Sequence, residues 1–191
     1  MTASNQKPQL SPESVEWMVD PATPQLELRA QEVAGPWLVR LLADFGPLSP
    51  ESARLRWLEL SFVGSQASRL TGAWSNSEVV PPDRYEWQRV PFQTGPIEDV
   101  NAWLAQRRSA WIEAQLCPDP RIYEALGSSW AHEIGITNDE GLHHYLILGH
   151  DAYVEILAES WSWKVVDIDP ALSVDAGGGV VVVKRRVVPG H

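Results

Sequence analysis

Apolar and polar positions along this chain change rhythm several times. Val15-Glu16-Trp17-Met18-Val19 and Leu26-Glu27-Leu28-Arg29 alternate with the period of short strands. Asp20-Pro21 and Thr23-Pro24 punctuate the chain between them. From Val33 the spacing becomes helical: Val33, Trp37, Leu38, Leu41, Leu42 and Phe45 predict a helix over 35–45. Pro36 suits its first turn, and Gly46-Pro47 stops it. Arg54 to Val63 alternates again, with Leu58, Leu60 and Phe62 on one face, and reads as a strand; a helix opening at Ser49 is the alternative. Residues 64–83, rich in Ser, Gly, Asn and Pro around Trp74, read as a long surface loop, and Arg84–Val90 as a strand with Tyr85 and Trp87 on one face.

Thr94-Gly95-Pro96 begins the clearest helix, over about 96–116. Glu98 and Asp99 lie in its first turn, where the helix dipole favours acids. Ile97, Val100, Leu104, Trp111 and Ile112 form an apolar stripe with Trp103 beside it, and Arg107 and Arg108 lie on the solvent side. Cys117-Pro118-Asp119-Pro120 ends it. Downstream the rhythm is that of strands. Ile122–Leu126 is short. Residues 142–148 and 152–158, joined through Gly149-His150-Asp151, carry the strongest hairpin signal. Trp161–Ile168 continues that strand or forms another, Asp175–Gly179 is a turn, and Val180–Val188 is a β-branched strand interrupted by Lys184-Arg185-Arg186.

These elements predict a flexible N-terminal tail over 1–14 and a single α+β domain over 15–191. Two main helices and about five to seven strands, with no βαβ alternation, point to a mainly antiparallel sheet with both helices packed on one face.

Composition narrows the function. The chain has 191 residues, 44% hydrophobic, with one cysteine, so no internal disulfide is expected. No apolar run reaches the roughly 18 residues of a membrane span. The polar stretch Met1–Ser14 has no apolar core of a secretion signal, so the cytoplasm is the expected compartment. The net charge of −10 is uneven: −3 over 1–97, −9 over 98–169 and +2 over 170–191. Phosphate backbones are held by Lys and Arg, and the only basic cluster is Lys184-Arg185-Arg186, so nucleic acid is not an expected partner. Ten tryptophans against three Phe and four Tyr imply many buried indole hydrogen bonds or indoles at a binding surface.

Motifs for chemistry are weak. His132, Glu133, His143, His144, His150, Asp151 and Glu155 are of zinc-ligand type and fall within 24 residues. His143 and His144, however, point to opposite faces of a strand, and His150 lies in the turn. Asp167-Ile168-Asp169 has the spacing of a magnesium-holding acidic pair but is followed by Pro170. Cys117 sits at a helix C-terminus, where the dipole raises a thiol pKa. No serine lies in a Gly-x-Ser-x-Gly elbow, and Gly177–Gly179 lack the Lys-Ser/Thr of a phosphate loop. No catalytic residue, metal ligand or cofactor is assigned.

The remaining pattern is a surface. Tyr153, Glu155, Leu157, Glu159, Trp161 and Trp163 share one parity and, if no bulge intervenes, line one sheet face opposite Val154, Ile156 and Ala158. Aromatics mixed with carboxylates suit a grip on a basic partner. The expected partner-binding residues are therefore Tyr153, Glu155, Glu159, Trp161 and Trp163. The expected function is a soluble, non-catalytic protein-binding module, acidic and immunity- or inhibitor-like or a secretion accessory, masking a basic protein. A small metal-dependent hydrolase using His132, His143, His144 and His150 is the alternative, and ligand binding by exposed Trp a third reading.

Overall fold

The computed structural model describes residues 7–22, 26–30, 35–72, 84–92 and 98–166. Ten strands dominate them: β1 (Gln9–Pro12), β2 (Met18–Val19), β3 (Leu26–Ala30), β4 (Trp37–Asp44), β5 (Leu55–Val63), β6 (Ala67–Gly72), β7 (Ile122–Leu126), β8 (His143–Leu148), β9 (Ala152–Ala158) and β10 (Ser160–Val165). Among the described residues there is one long α-helix, α1 (Val100–Ala114), and one short, α2 (Trp130–Glu133). The strands form two antiparallel sheets, ordered β1–β7–β8–β9–β6 and β10–β5–β4–β2, with β3 also against β4. The architecture is thus mainly antiparallel β, with more strands than the expected five to seven and two sheets in place of one.

Two long chain segments cross from sheet to sheet at a shared corner. β5 continues into β6 through Gly64-Ser65-Gln66, and β9 continues into β10 through Glu159. Val63 pairs with Ser160 and Ala67 with Leu157, so three corner residues on one segment oppose two on the other, the mismatch of a bulge. Glu159 N–H donates to the Val63 carbonyl (3.0 Å) and Gln66 N–H to that of Leu157 (2.9 Å). Gly64 has φ +66°, a left-handed conformation that favours glycine, and the Glu159 side chain lies against it. On the other side, residues 13–19 tie the sheets together. Glu13 N–H bonds to the Ile122 carbonyl (3.0 Å), Cys117 N–H to that of Val15 (2.7 Å) and Val19 N–H to that of Pro120 (3.0 Å).

The main core lies between the sheets. Val39, Leu41, Ala43, Leu58, Leu60 and Phe62 meet Ile122, Tyr145, Ile147, Val154, Ile156 and Ala158. Trp17, fully buried, sits edge-on to Trp161 (6.4 Å between centroids) and Trp163 (5.8 Å). The first sheet is also covered on its outer face, where Leu10, Tyr85, Val90, Tyr123, Leu146, Leu148 and Tyr153 cluster. Burial on both faces explains the nearly unbroken apolar runs of β8 and β9.

Several expectations are corrected. Residues 37–44 form β4 and not a helix. Val39, Leu41 and Ala43 face the core, while Arg40 pairs outward with Glu59 (2.7 Å). A short apolar run fits either period, and full-length pairing with β5 decides it. The stretch read as a loop contains β6, which edges the first sheet against β9. Arg84–Val90 is no strand; among the described residues it makes only a bridge from Glu86 to Gln9. Residues 9–12, assigned to the tail, pair with β7. The helices are not on one face. α1 packs through Trp111 against Met18, Cys117 and Leu48, and α2 through Trp130 and Ala131 against Leu157 on the first sheet. The hairpin 142–158, the strands at Ile122–Leu126 and Arg54–Val63 and the helix near 96–116 are present, the helix with Asp99 as its N-cap, accepting from Asn101 and Ala102 N–H (2.9 and 3.1 Å). Asp167–Ile168–Asp169, Gly177–Gly179 and Val180–Val188 lie outside the described residues.

The β4–β5 connection is pinned by Asp44. Its carboxylate accepts from Gly46 N–H (2.7 Å) and from Arg54 Nε and Nη2 (2.7 and 2.6 Å). Burial works to raise the Asp44 pKa, but the Arg54 and Gly46 hydrogen bonds outweigh it and hold the carboxyl below its ordinary value. A depressed folded pKa contributes stability above the unfolded value, about 4, that is lost as pH falls through the folded value. Urea unfolding across that acid range will therefore show a slope that Asp44→Asn reduces; an unchanged slope would remove Asp44 from the acid-labile set. Truncating Trp17→Ala should lower the unfolding free energy by about 3–5 kcal/mol, since the packed indole leaves a large cavity. A loss under about 1 kcal/mol in denaturant titration would mean that the two sheets do not depend on this side chain.

Candidate functional site

The most polar interior feature lies on the outer face of the first sheet and is centred on Glu155, in the middle of β9. Its neighbours Val154 and Ile156 point into the main core, so Glu155 points the other way, and it is fully buried. A carboxylate taken out of water requires compensating donors. Arg69, directly opposite on β6, donates from Nη2 to Oε1 (2.6 Å) and from Nε to Oε2, a bidentate pair. Arg84 Nη2 lies 3.0 Å from Oε1, and the Tyr85 hydroxyl donates to it at 2.5 Å. Burial and then the Glu155 charge push the Tyr85 hydroxyl far above its ordinary pKa, so it stays protonated and donates.

A second ring of contacts fixes the donors. Arg84 Nη1 donates to the Tyr153 hydroxyl (2.8 Å), and the Arg69 guanidinium lies over the Trp130 ring at 4.4 Å. His144 Nε2 is 3.2 Å from Glu155 Oε1 but is not aligned for a hydrogen bond. Its Nδ1 shares a 2.7 Å hydrogen bond with Ser128 Oγ, which also accepts from Trp130 N–H at 3.2 Å. Two guanidinium groups and a phenol thus saturate one carboxylate. The assembly clamps segment 84–92 and α2 to the sheet. Its chemistry is that of a cross-link, because the carboxylate that would act as base or nucleophile is already engaged on both oxygens.

The expected binding strip is divided by the corner. Tyr153 and Glu155 are buried under segment 84–92 on the outer face. Glu159 is exposed at the corner, and Trp161 and Trp163 are half-buried and turned inward against Trp17, Phe45 and Phe62. Alternation breaks at the Glu159 corner, so β10 presents odd-numbered residues to the core where β9 presents even-numbered ones. Arg69, Arg84, Tyr85 and Ser128 were not among the expected site residues. One signal was legible: a single glutamate inside the apolar run Tyr153–Leu157 calls for a cation across the sheet. Arg69 was hidden by the loop assignment of its strand.

The histidines do not converge. His132 is exposed on α2, and His143 Nδ1 lies 2.6 Å from Glu124 Oε1. His144 belongs to the Glu155 network, and His150 pairs with Asp151 (2.5 Å) in the turn at the far end of the hairpin. Among the described residues no group of three or more His, Cys, Asp or Glu is placed to hold a metal ion. Burial pushes the Cys117 thiol up to about 12, so it is a packed side chain and not a nucleophile at neutral pH. Trp17, Trp161 and Trp163 form an aromatic cluster; of the nine tryptophans described, Trp17, Trp111 and Trp130 are buried and the other six half-buried. No helix among the described residues is long and apolar enough to cross a membrane.

Four exposed acids lie at one end of the first sheet, while Glu51, Glu98, Asp99, Glu113 and Asp151 are exposed elsewhere. His143 pairs with Ala158, so the β7–β8 connection just before His143 and the corner just after Ala158 lie at the same end. Glu133, Asp139, Glu140 and Glu159 are all exposed there, with Ile134 47% exposed among them. Asp139, Glu140 and Glu159 make no ion pair among the described residues. Residues 122–163 contain seven acids and no Lys or Arg.

Comparison with protein-family models, curated proteins and solved structures finds no match to this chain.

Replacing Glu155→Ala leaves Arg69 and Arg84 without their shared counter-charge and should lower stability by about 3–5 kcal/mol. Denaturant unfolding measures it, and a loss under about 1 kcal/mol would show that the network does not clamp the sheet.

Proposed function

We propose that this protein is a non-catalytic binding module that masks a basic protein partner, as immunity proteins, inhibitors and secretion accessories do, with the cytoplasm as its compartment. The observation that carries the reading is the acidic end of the first sheet, formed by Asp139, Glu140 and Glu159, which make no ion pair among the described residues, with Glu133 beside them, in a stretch with no Lys or Arg. The one buried carboxylate nearby is neutralised within the fold, so the charge that remains faces solvent and a positively charged partner. Of the residues expected from the sequence, Glu159 belongs to this surface. Tyr153, Glu155, Trp161 and Trp163 are scaffold and not part of it. No observation favours the hydrolase reading.

Reversing three charges, Asp139→Lys, Glu140→Lys and Glu159→Lys, tests this with little risk to the fold, since all three side chains are exposed. The immobilised protein should capture a high-pI partner at about 50 mM salt and lose about tenfold in affinity both in the variant and at about 300 mM. Capture indifferent to salt and to the triple reversal would refute the proposal.

A further inference from the structure

The inner face of the first sheet carries two neighbouring carboxylates where β1 meets β7. β1 pairs with β7 so that Ser11 faces Glu124 and Pro12 faces Tyr123, and the Glu13 N–H bond to the Ile122 carbonyl (3.0 Å) continues that register. Ser11, Glu13, Ile122 and Glu124 therefore share a face, the one that Ile122 presents to the main core. Glu13 and Glu124 are diagonal neighbours across the end of this pair, and both are half-buried. Asp44, Glu59 and Glu155 each meet an arginine. Among the described residues no Lys or Arg pairs with Glu13 or Glu124.

The groups that face them come from β8 and β10. His143 Nδ1 lies 2.6 Å from Glu124 Oε1, Tyr145 stands directly opposite Glu124, and the Trp161 indole hydrogen-bonds Glu13. Burial, and then the Glu13 and Glu124 charges, push the Tyr145 hydroxyl up to about 12, so it stays protonated. Burial first, and then the Glu124 charge, raise the Glu13 pKa above its ordinary value; Trp161 and His143 offset them only in part.

We propose that the Glu13–Glu124 pair makes the seating of segment 8–13 depend on pH, so that β1 is held more firmly in weak acid than at neutral pH. Two charged carboxylates repel across the pair, and a proton on Glu13 removes both the repulsion and the cost of burying its charge. A lifted segment has the ordinary carboxylate value. The cost is therefore present above the raised folded value and disappears as pH falls through it, a slope opposite to that of Asp44. A proton on His143 acts in the same direction, by giving Glu124 a counter-charge.

Segment 8–13 is the part that responds. β1 is four residues long, the last strand of the first sheet, and its Pro12 has no N–H to give. Downstream, Val15 and Trp17 are buried in the main core and fix the chain. Lifting the segment withdraws Leu10 from the outer cluster. It also breaks the bonds from Leu10 N–H to the Glu86 carbonyl and from Glu86 N–H to that of Pro8, both 2.9 Å. Glu86 belongs to the segment that covers Glu155, so acidity is coupled to how firmly that cover sits. The device lies within this chain and needs no partner.

Amide hydrogen exchange of the full chain, followed by NMR and corrected for intrinsic rates, tests the proposal. Protection of the Leu10 and Glu13 amides should rise severalfold from about pH 7 to about pH 5. Glu13→Gln should raise Leu10 protection at neutral pH and level its pH dependence. Glu124→Gln, which removes the facing charge, should also raise it at neutral pH, with circular dichroism of both variants as in the wild type. Wild-type protection that stays flat or falls across this range would overturn the proposal. So would a rise that persists undiminished in Glu13→Gln, whether or not His143→Gln abolishes it, since another group would then titrate.

Discussion

The bend shared by β5–β6 and β9–β10 at Gly64 and Glu159 governs where nearly every distinctive side chain of this protein ends up. Without it, residues 152–165 would be one flat strand with a single alternation. With it, Val154, Ile156, Ala158, Trp161 and Trp163 all reach the same interior, although their numbering changes parity halfway. The same bend turns one set of strands into two facing sheets, and so creates the space that Trp17 fills from the opposite side.

A second consequence falls on Glu155. The bend assigns it to the outer face, and segment 84–92 then covers that face with Tyr85, Trp87 and Val90. A lone buried carboxylate would be prohibitive, so the covering segment supplies Arg84 and Tyr85, and β6 supplies Arg69. Charge satisfaction and topology are thereby coupled: the network forms only when β6 lies beside β9 and segment 84–92 lies across both. Such a network gives the outer layer a specific register that apolar contacts alone would specify less sharply.

Neutralising Glu155 internally also separates structural charge from displayed charge. The acids left on the surface sit in connections and at the corner, where long side chains stay hydrated. α1 shows the converse. It is anchored by one indole and a few hydrogen bonds, and it presents aliphatic side chains outward. The apolar cores lie on the sheets, and these groups lie at the periphery.

Local periodicity alone determined much of the scaffold. It located the 142–158 hairpin, the β5 alternation of Leu58, Leu60 and Phe62, the β7 strand and the α1 helix with its acidic start, because each is written in a period that neighbours in the chain enforce. It also carried the acid-rich, base-free character of the second half. Only the tertiary structure decided the rest. Residues 37–44 became a strand because β5, β2 and β3 offered backbone partners that a short ambiguous run could not refuse. β6 escaped notice because its side chains are half-polar and its partner lies about 85 residues away in the chain. The faces on which Tyr153 and Glu155, and then Trp161 and Trp163, lie depended on the break in alternation at the Glu159 corner. Alternation predicts faces only while the strand stays regular, and a bulge is a property of two paired strands, not of either one's sequence.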